Sequence, residues 1–158
     1  MRDYTLESNM RREVDSVLES TGFSLVELTV QRSRNNVHVN VTVHKRPAVD
    51  LESLTQVSRT LKKQLENLEE SEDMNLVVTS PGIDRRIKSR REYDIFRGKG
   101  IRLLLENESE WRCGVIRKTE GEVLHLATPS GIQEIDLGSV RKAKLDYTQE
   151  VETREDVL

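Results

Sequence analysis

The sequence predicts an α+β chain in two parts, an α/β domain followed by a small closed β-barrel. Three observations predict it. Apolar residues recur at helical and then at strand spacing, in alternation, as far as the strand that starts at Leu76. Beyond Gly100 only short alternating runs occur, divided by polar or Gly-containing turns. Between the halves lies a basic run that opposes the charge of the rest of the chain.

The elements follow in order. Leu6, Met10, Val14, Val17 and Leu18 recur at helical spacing, and Gly22 stands where a C-terminal cap belongs. Phe23 to Arg32 reads as a strand, and Asn35-Asn36 suits the positive backbone angles of a tight turn. Val37, Val39, Val41 and Val43 alternate with His38, Asn40, Thr42 and His44, which predicts a strand with one wet face, closed by Pro47. Asp50 is placed to cap a second helix lined by Leu54, Val57, Leu61, Leu65 and Leu68. An acidic connection from Glu69 to Asp73 leads to the strand Leu76-Val77-Val78-Thr79. The order is helix, strand, strand, helix, strand. A three-stranded sheet carrying both helices on one face follows, with the alternating valines toward the helices.

The second half lacks a helical pattern of useful length. Ile101, Leu103 and Leu105 alternate, then Trp111, Cys113 and Val115. Turns at Gly121 and at Thr128-Pro129-Ser130-Gly131 separate further strands that end near Ala143 and Leu145. About five short strands favour closure into a barrel, which removes exposed sheet edges. The expected division is 1–90 for the first domain, 91–148 for the second, and 149–158 for a frayed acidic tail.

Composition excludes several classes. The content of Leu, Val, Ile and Phe clears the ~20% level below which disorder is the better expectation. One Trp, three Tyr and two Phe are too few for base stacking to be the main mode of recognition. The single Cys113 rules out an internal disulfide and a multi-cysteine zinc site. No signal peptide and no membrane-length apolar run is visible, so a reduced, soluble, cytoplasmic protein is expected. His38 and His44 lie six apart on one strand, and His125 has no acidic or thiol partner near it in sequence; all three read as ordinary histidines. Cys113, on the strand face of Trp111, is expected to pack inertly in the barrel. Gly98-Lys99-Gly100 lacks the earlier Gly and the Ser/Thr of a phosphate loop and reads as a bend. No catalytic constellation assembles, so an enzyme is not expected, and no cofactor or metal is implied.

The basic run is the strongest functional signal. From Asp84 to Arg102 eight basic side chains face three acids, a balance of +5 in a chain of net charge −3, so the remainder sums to −8. Five cations, Arg85, Arg86, Lys88, Arg90 and Arg91, stand between Asp84 and the next acid, Glu92, and Arg97 and Lys99 follow. Such a segment calls for a polyanion or an acidic protein. Six phosphate contacts would give a log affinity–log salt slope of about −4 to −5. The turn Ser80-Pro81-Gly82 with Asp84 has a plain structural reading, that of ending a strand, with Asp84 bracing Arg85.

Val77-Val78-Thr79-Ser80-Pro81-Gly82-Ile83-Asp84-Arg85, then Phe96-Arg97-Gly98 and the closing Arg141-Lys142-Ala143-Lys144-Leu145, resemble the bacterial ribosome maturation factor RimP family. The resemblance extends to Gly22-Phe23-Ser24-Leu25-Val26 and to the start of the second helix at Leu51. Two departures stand out: Thr79-Ser80 replaces the family's usual pair of serines, and Arg86-Ile87 replaces Pro-Leu, which leaves this passage less stiff. The resemblance implies an N-terminal α/β domain and a C-terminal SH3-like barrel. It also implies a monomeric, non-enzymatic assembly factor that binds the immature small (30S) ribosomal subunit near its ribosomal RNA and small-subunit protein S-twelve. It assigns no individual residues, so the expected contacts Arg85, Arg86, Lys88, Arg90, Arg91, Arg97 and Lys99 rest on charge. A rival reading is a general RNA-binding regulator of messenger or small RNA.

Overall fold

A computed structural model describes residues 1–46, 48–67 and 73–150. The chain forms two compact units, Met1–Pro81 and Gly82–Leu158. The first contains α1 (Tyr4–Leu18), β1 (Phe23–Arg32), β2 (Asn36–Lys45), α2 (Leu51–Glu66) and β3 (Asp73–Thr79). Both long helices begin on a side-chain cap. Asp3 accepts the Leu6 N–H at 2.9 Å and Asp50 accepts the Ser53 N–H at 2.8 Å, each filling an orphan donor of the first turn.

The three strands lie in the order β1-β2-β3, antiparallel between β1 and β2 and parallel between β2 and β3. A parallel neighbour requires a crossover, and α2 supplies it. Val37, Val39, Val41 and Val43 are buried in one cluster with Met10 and Val14 of α1 and Leu61 and Leu65 of α2. Both helices therefore cover the valine face, as the alternation predicts. Leu25 and Leu28 join the same cluster despite their odd spacing, because a bulge between Leu25 and Glu27 resets the alternation.

Local details differ from expectation. The Asn35-Asn36 turn uses no positive φ: among the described residues only Asn107 and four glycines do. The hairpin closes instead through the Ser33 N–H on the Asn36 carbonyl at 2.9 Å, with Asn36 already in β2. Helix α1 ends at Leu18 with Glu19 as its C-cap, and Gly22, at φ 82°, turns the chain into β1 rather than capping the helix. Pro47, Leu68 and most of the acidic connection lie outside the described residues.

The second unit contains a short helix α3 (Glu92–Ile95) and five strands: β4 (Gly100–Leu105), β5 (Arg112–Glu120), β6 (Val123–Thr128), β7 (Gly131–Asp136) and β8 (Val140–Leu145). They form one antiparallel sheet in the order β7-β6-β5-β4-β8. The strand count matches the expectation, and what the pairings define is a five-stranded sheet with β7 and β8 at its ends. Phe96, Ile101, Leu103, Ile116, Leu124, Leu126 and Ile135 are fully buried in this unit. Gly98, at φ 88°, provides the bend into β4. Gln149 and Glu150, expected to begin a frayed tail, are held instead. Glu150 accepts the Gly100 N–H at 3.1 Å, and Gln149 donates its side-chain amide to Asp146 at 3.2 Å.

Candidate nucleic-acid interface

The basic run is split by a strand-like backbone. The Arg85 N–H bonds the Gly82 carbonyl at 3.1 Å, so the turn is closed by Gly82-Ile83-Asp84-Arg85. The chain then runs beside β8: the Leu145 N–H bonds the Arg85 carbonyl at 2.9 Å and the Ile87 N–H bonds the Ala143 carbonyl at 2.8 Å. Arg86 faces Lys144 across an antiparallel bridge. With a period of two, Arg85 and Ile87 turn inward while Arg86 and Lys88 are exposed.

Arg85 is thereby removed from the surface. Its Nε donates to Glu92 Oε1 at 2.8 Å, with the two side chains 10% and 1% exposed. Glu92 also accepts the Lys88 N–H at 3.1 Å, the Ser89 N–H at 3.0 Å and the Ser89 hydroxyl at 3.2 Å. The carboxylate thus fastens the entire segment to α3. Ser89-Arg90-Arg91-Glu92 has the Ser-x-x-Glu spacing of a capping box, and Glu92 makes one half of it by reaching back to the Ser89 N–H, while α3 itself starts at Glu92 with Arg91 as N-cap. That local Ser89–Glu92 signal was present in the sequence, whereas the place of Arg85 on the same carboxylate follows from the fold. Beside this anchor, burial and then the Glu92 charge push the Tyr93 hydroxyl pKa up to about 12.

Arg90 is half-buried. Its guanidinium donates to the Gly121 carbonyl and lies 3.8 Å from Glu122, so it ties down the β5–β6 turn. Arg91 and Arg97 are exposed and Lys99 is half-buried. A shallow depression of about 320 Å³ gathers Arg86, Lys88, Arg90 and Glu122 with two cations that charge counting missed, Arg141 and Lys142. Arg97 and Lys99 do not line it. Arg141, Lys142 and Lys144 form a second basic cluster with no intervening acid, a signal legible in the sequence. Among the described residues, Arg86, Arg141, Lys142 and Lys144 make no ion pair. Like charges set directly opposite across strands repel, so the Arg86–Lys144 pair favours an anion between them.

Trp111 and Cys113 do not pack beside Ile101 and Leu103. The register sets Gly114 against Ile101 and Cys113 against Arg102, so the Trp111–Cys113 alternation faces the Arg102 side. Trp111 stays 37% exposed and Cys113 is half-buried. No group of three or more metal-ligating side chains occurs among the described residues, and no helix there is long and apolar enough to cross a membrane.

Arg86, Arg141, Lys142 and Lys144, held along one sheet edge with no carboxylate partner among the described residues, give an α+β protein with the surface chemistry for a polyanion. The RimP N-terminal domain model matches residues 13–84. The chain is 31% identical over 134 residues to the ribosome maturation factor RimP of Borrelia garinii subsp. bavariensis, covering 84% of this chain and 90% of that one. It is 33% identical over 123 residues to that of Borreliella burgdorferi strain ZS7, covering 77% and 82%. The chain belongs to the RimP family. Among solved structures, a MamM CTD overlays 48% of this chain and 84% of its own length at a TM-score of 0.36 and 8% identity, too distant to carry an argument.

Proposed function

We propose that this protein is a ribosome maturation factor that assists assembly of the small ribosomal subunit as a non-catalytic binding protein. Family membership supports the maturation role. The observation that carries the binding mode is Arg86 opposite Lys144, with Arg141 and Lys142 nearby and no carboxylate partner among the described residues. In this reading Arg86, Lys88, Arg91, Arg141 and Lys142 meet ribosomal RNA of the immature subunit, beside protein S-twelve. Arg85 and Arg90 hold the segment in shape. The protein acts in the cytoplasm as a monomer, and its five-stranded sheet serves as an SH3-like barrel. Sucrose-gradient sedimentation with cell lysate tests the proposal. Co-migration with free small subunits, together with precursor ribosomal RNA in a deletion strain, is the expected result. Association with messenger or small RNA but not with subunits would overturn it.

A further inference from the structure

One face of the second unit's sheet carries a row of cations that ends at an aromatic ring. Arg86 is opposite Lys144, Lys144 is opposite Arg102 on β4, and Arg102 is opposite Cys113 on β5. Residues directly opposite in neighbouring strands share a face, so Arg86, Lys144 and Arg102 stand in one line. Two interstrand steps of ~4.8 Å give the line a length of about 10 Å. At its end the Arg102 guanidinium lies 5.3 Å from the centroid of the Trp111 ring, which is still 37% exposed.

This row does not stabilise the fold by itself. Three like charges on adjacent strands repel, and the Arg102 Nε is buried with no hydrogen-bond partner. Asp146 has its carboxylate engaged by the Thr148 hydroxyl and N–H and by the Gln149 amide, which together with the Arg102 charge hold its carboxyl below the usual aspartate value. It makes no ion pair with Arg102. An anion with repeating charge supplies what the row lacks. An exposed indole adjoining cations selects for a flat, unpaired base, because a duplex hides its base faces.

We propose that this face binds single-stranded RNA, with Trp111 stacking on one unpaired base while Arg102, Lys144 and Arg86 take successive phosphates. The inference rests on the reading of the protein as an RNA-binding maturation factor and adds that the RNA is unpaired at this point. It also names a contact that charge alone does not supply. Arg102 lies against the indole, holding the ring and drawing the phosphate next to the stacked base.

Trp111 is the sole tryptophan in the chain, so native fluorescence reports on it alone. Titrating the full chain with a ten-nucleotide oligouridylate should quench that fluorescence, and an RNA duplex of equal charge should not. Trp111→Leu should weaken oligonucleotide binding about ten-fold with its salt slope unchanged, and Trp111→Tyr should restore most of the loss. Arg86→Gln and Lys144→Gln should each reduce the salt slope by about 0.7. RNA binding without quenching, equal quenching by the duplex, or quenching by an oligoglutamate peptide instead of RNA would overturn the proposal. So would undiminished RNA binding by a Trp111→Leu protein that melts like the parent. Subunit sedimentation in parallel separates the two readings. Co-migration with subunits but no quenching defeats only the base-stacking face. Quenching without co-migration supports this face and defeats the maturation role.

Discussion

Arg85 Nε lies 2.8 Å from Glu92 Oε1, and both side chains are largely withdrawn from solvent. The first cation of the basic run is therefore committed to the interior. Glu92 holds four donors at once, so Glu92→Ala leaves a buried guanidinium and three polar groups of residues 88 and 89 without their acceptor. Removing one partner of a buried pair costs about 3–5 kcal/mol. For a unit of this size the thermal midpoint of Glu92→Ala should fall by at least about 10 °C. Calorimetry checks it, and a midpoint within about 3 °C of the parent, equivalent to roughly 0.5 kcal/mol, would exclude the anchoring role.

A second buried carboxylate gives the first unit an acid sensitivity. Glu7 receives Arg2 through Nε at 2.6 Å and Nη2 at 3.0 Å, and the Val30 N–H at 3.2 Å. Burial works to raise its pKa, but the Arg2 bond and the Val30 N–H outweigh it and hold the carboxyl below the usual glutamate value. A group lowered on folding contributes stability that is complete above its unfolded pKa of about 4.3. That contribution is lost as pH falls through the lower, folded value. The thermal midpoint should thus be flat from pH 7 to about 5 and decline below about 4. In Arg2→Ala burial is no longer opposed by the guanidinium, so the folded value moves up towards the unfolded one and the acid decline should become shallower, from a lower stability at neutral pH. An acid limb as deep in that variant as in the parent would exclude the pairing as its cause.

The first unit was legible in the sequence because its signals are local and periodic. The Val37–Val43 alternation, the Asp50 cap and the Leu54–Leu65 spacing each fix an element without reference to distant residues. The bulge at Val26 was not legible, since it follows from how β1 meets β2. The same reason limits the site. Counting charge located the basic run, but separating Arg85 from Arg86 requires knowing that Arg85–Ile87 lies along β8. That pairing joins Arg86 to Lys144, across four intervening strands of the chain, and nothing local encodes it. Alternation of Trp111 with Cys113 points to the core, whereas the β4–β5 register decides which face of a two-sided strand is inside.

Gly114 marks a place where the approach of β6 to β5 leaves no room. A Cβ there would come within 2.4 Å of the Ala127 carbonyl oxygen and 2.8 Å of Leu126 Cγ. The first of these atoms is backbone, which cannot turn aside as a side chain does. Gly114→Ala should destabilise the second unit by about 1–3 kcal/mol through overpacking. The same change at Gly121, whose Cβ would meet nothing within 4 Å, acts only through its φ of 58° and should cost less, of order 1 kcal/mol. Urea unfolding of both variants ranks them, and a Gly114→Ala protein as stable as the parent would contradict the tight β5–β6 approach.

The sharpest test concerns the exposed cations. Arg86, Arg141 and Lys142 are exposed, line one depression and make no ion pair among the described residues. Reversing all three to Glu should therefore leave the thermal midpoint close to that of the parent. Each cation contributes at most about 1 kcal/mol to binding, since exposed charges are hydrated and screened. Together, with added repulsion, the three reversals should weaken small-subunit binding by about 100-fold. The salt slope should fall by about 0.7 to 0.9 for each phosphate that the variant no longer neutralises. Arg85→Glu gives the opposite pattern, because it sets two carboxylates together in a buried site: it melts early, and its folded fraction binds with an unchanged slope. A triple variant that melts early yet binds with full affinity across a salt series would make the whole basic segment a structural brace, and the RNA-facing surface would have to lie elsewhere.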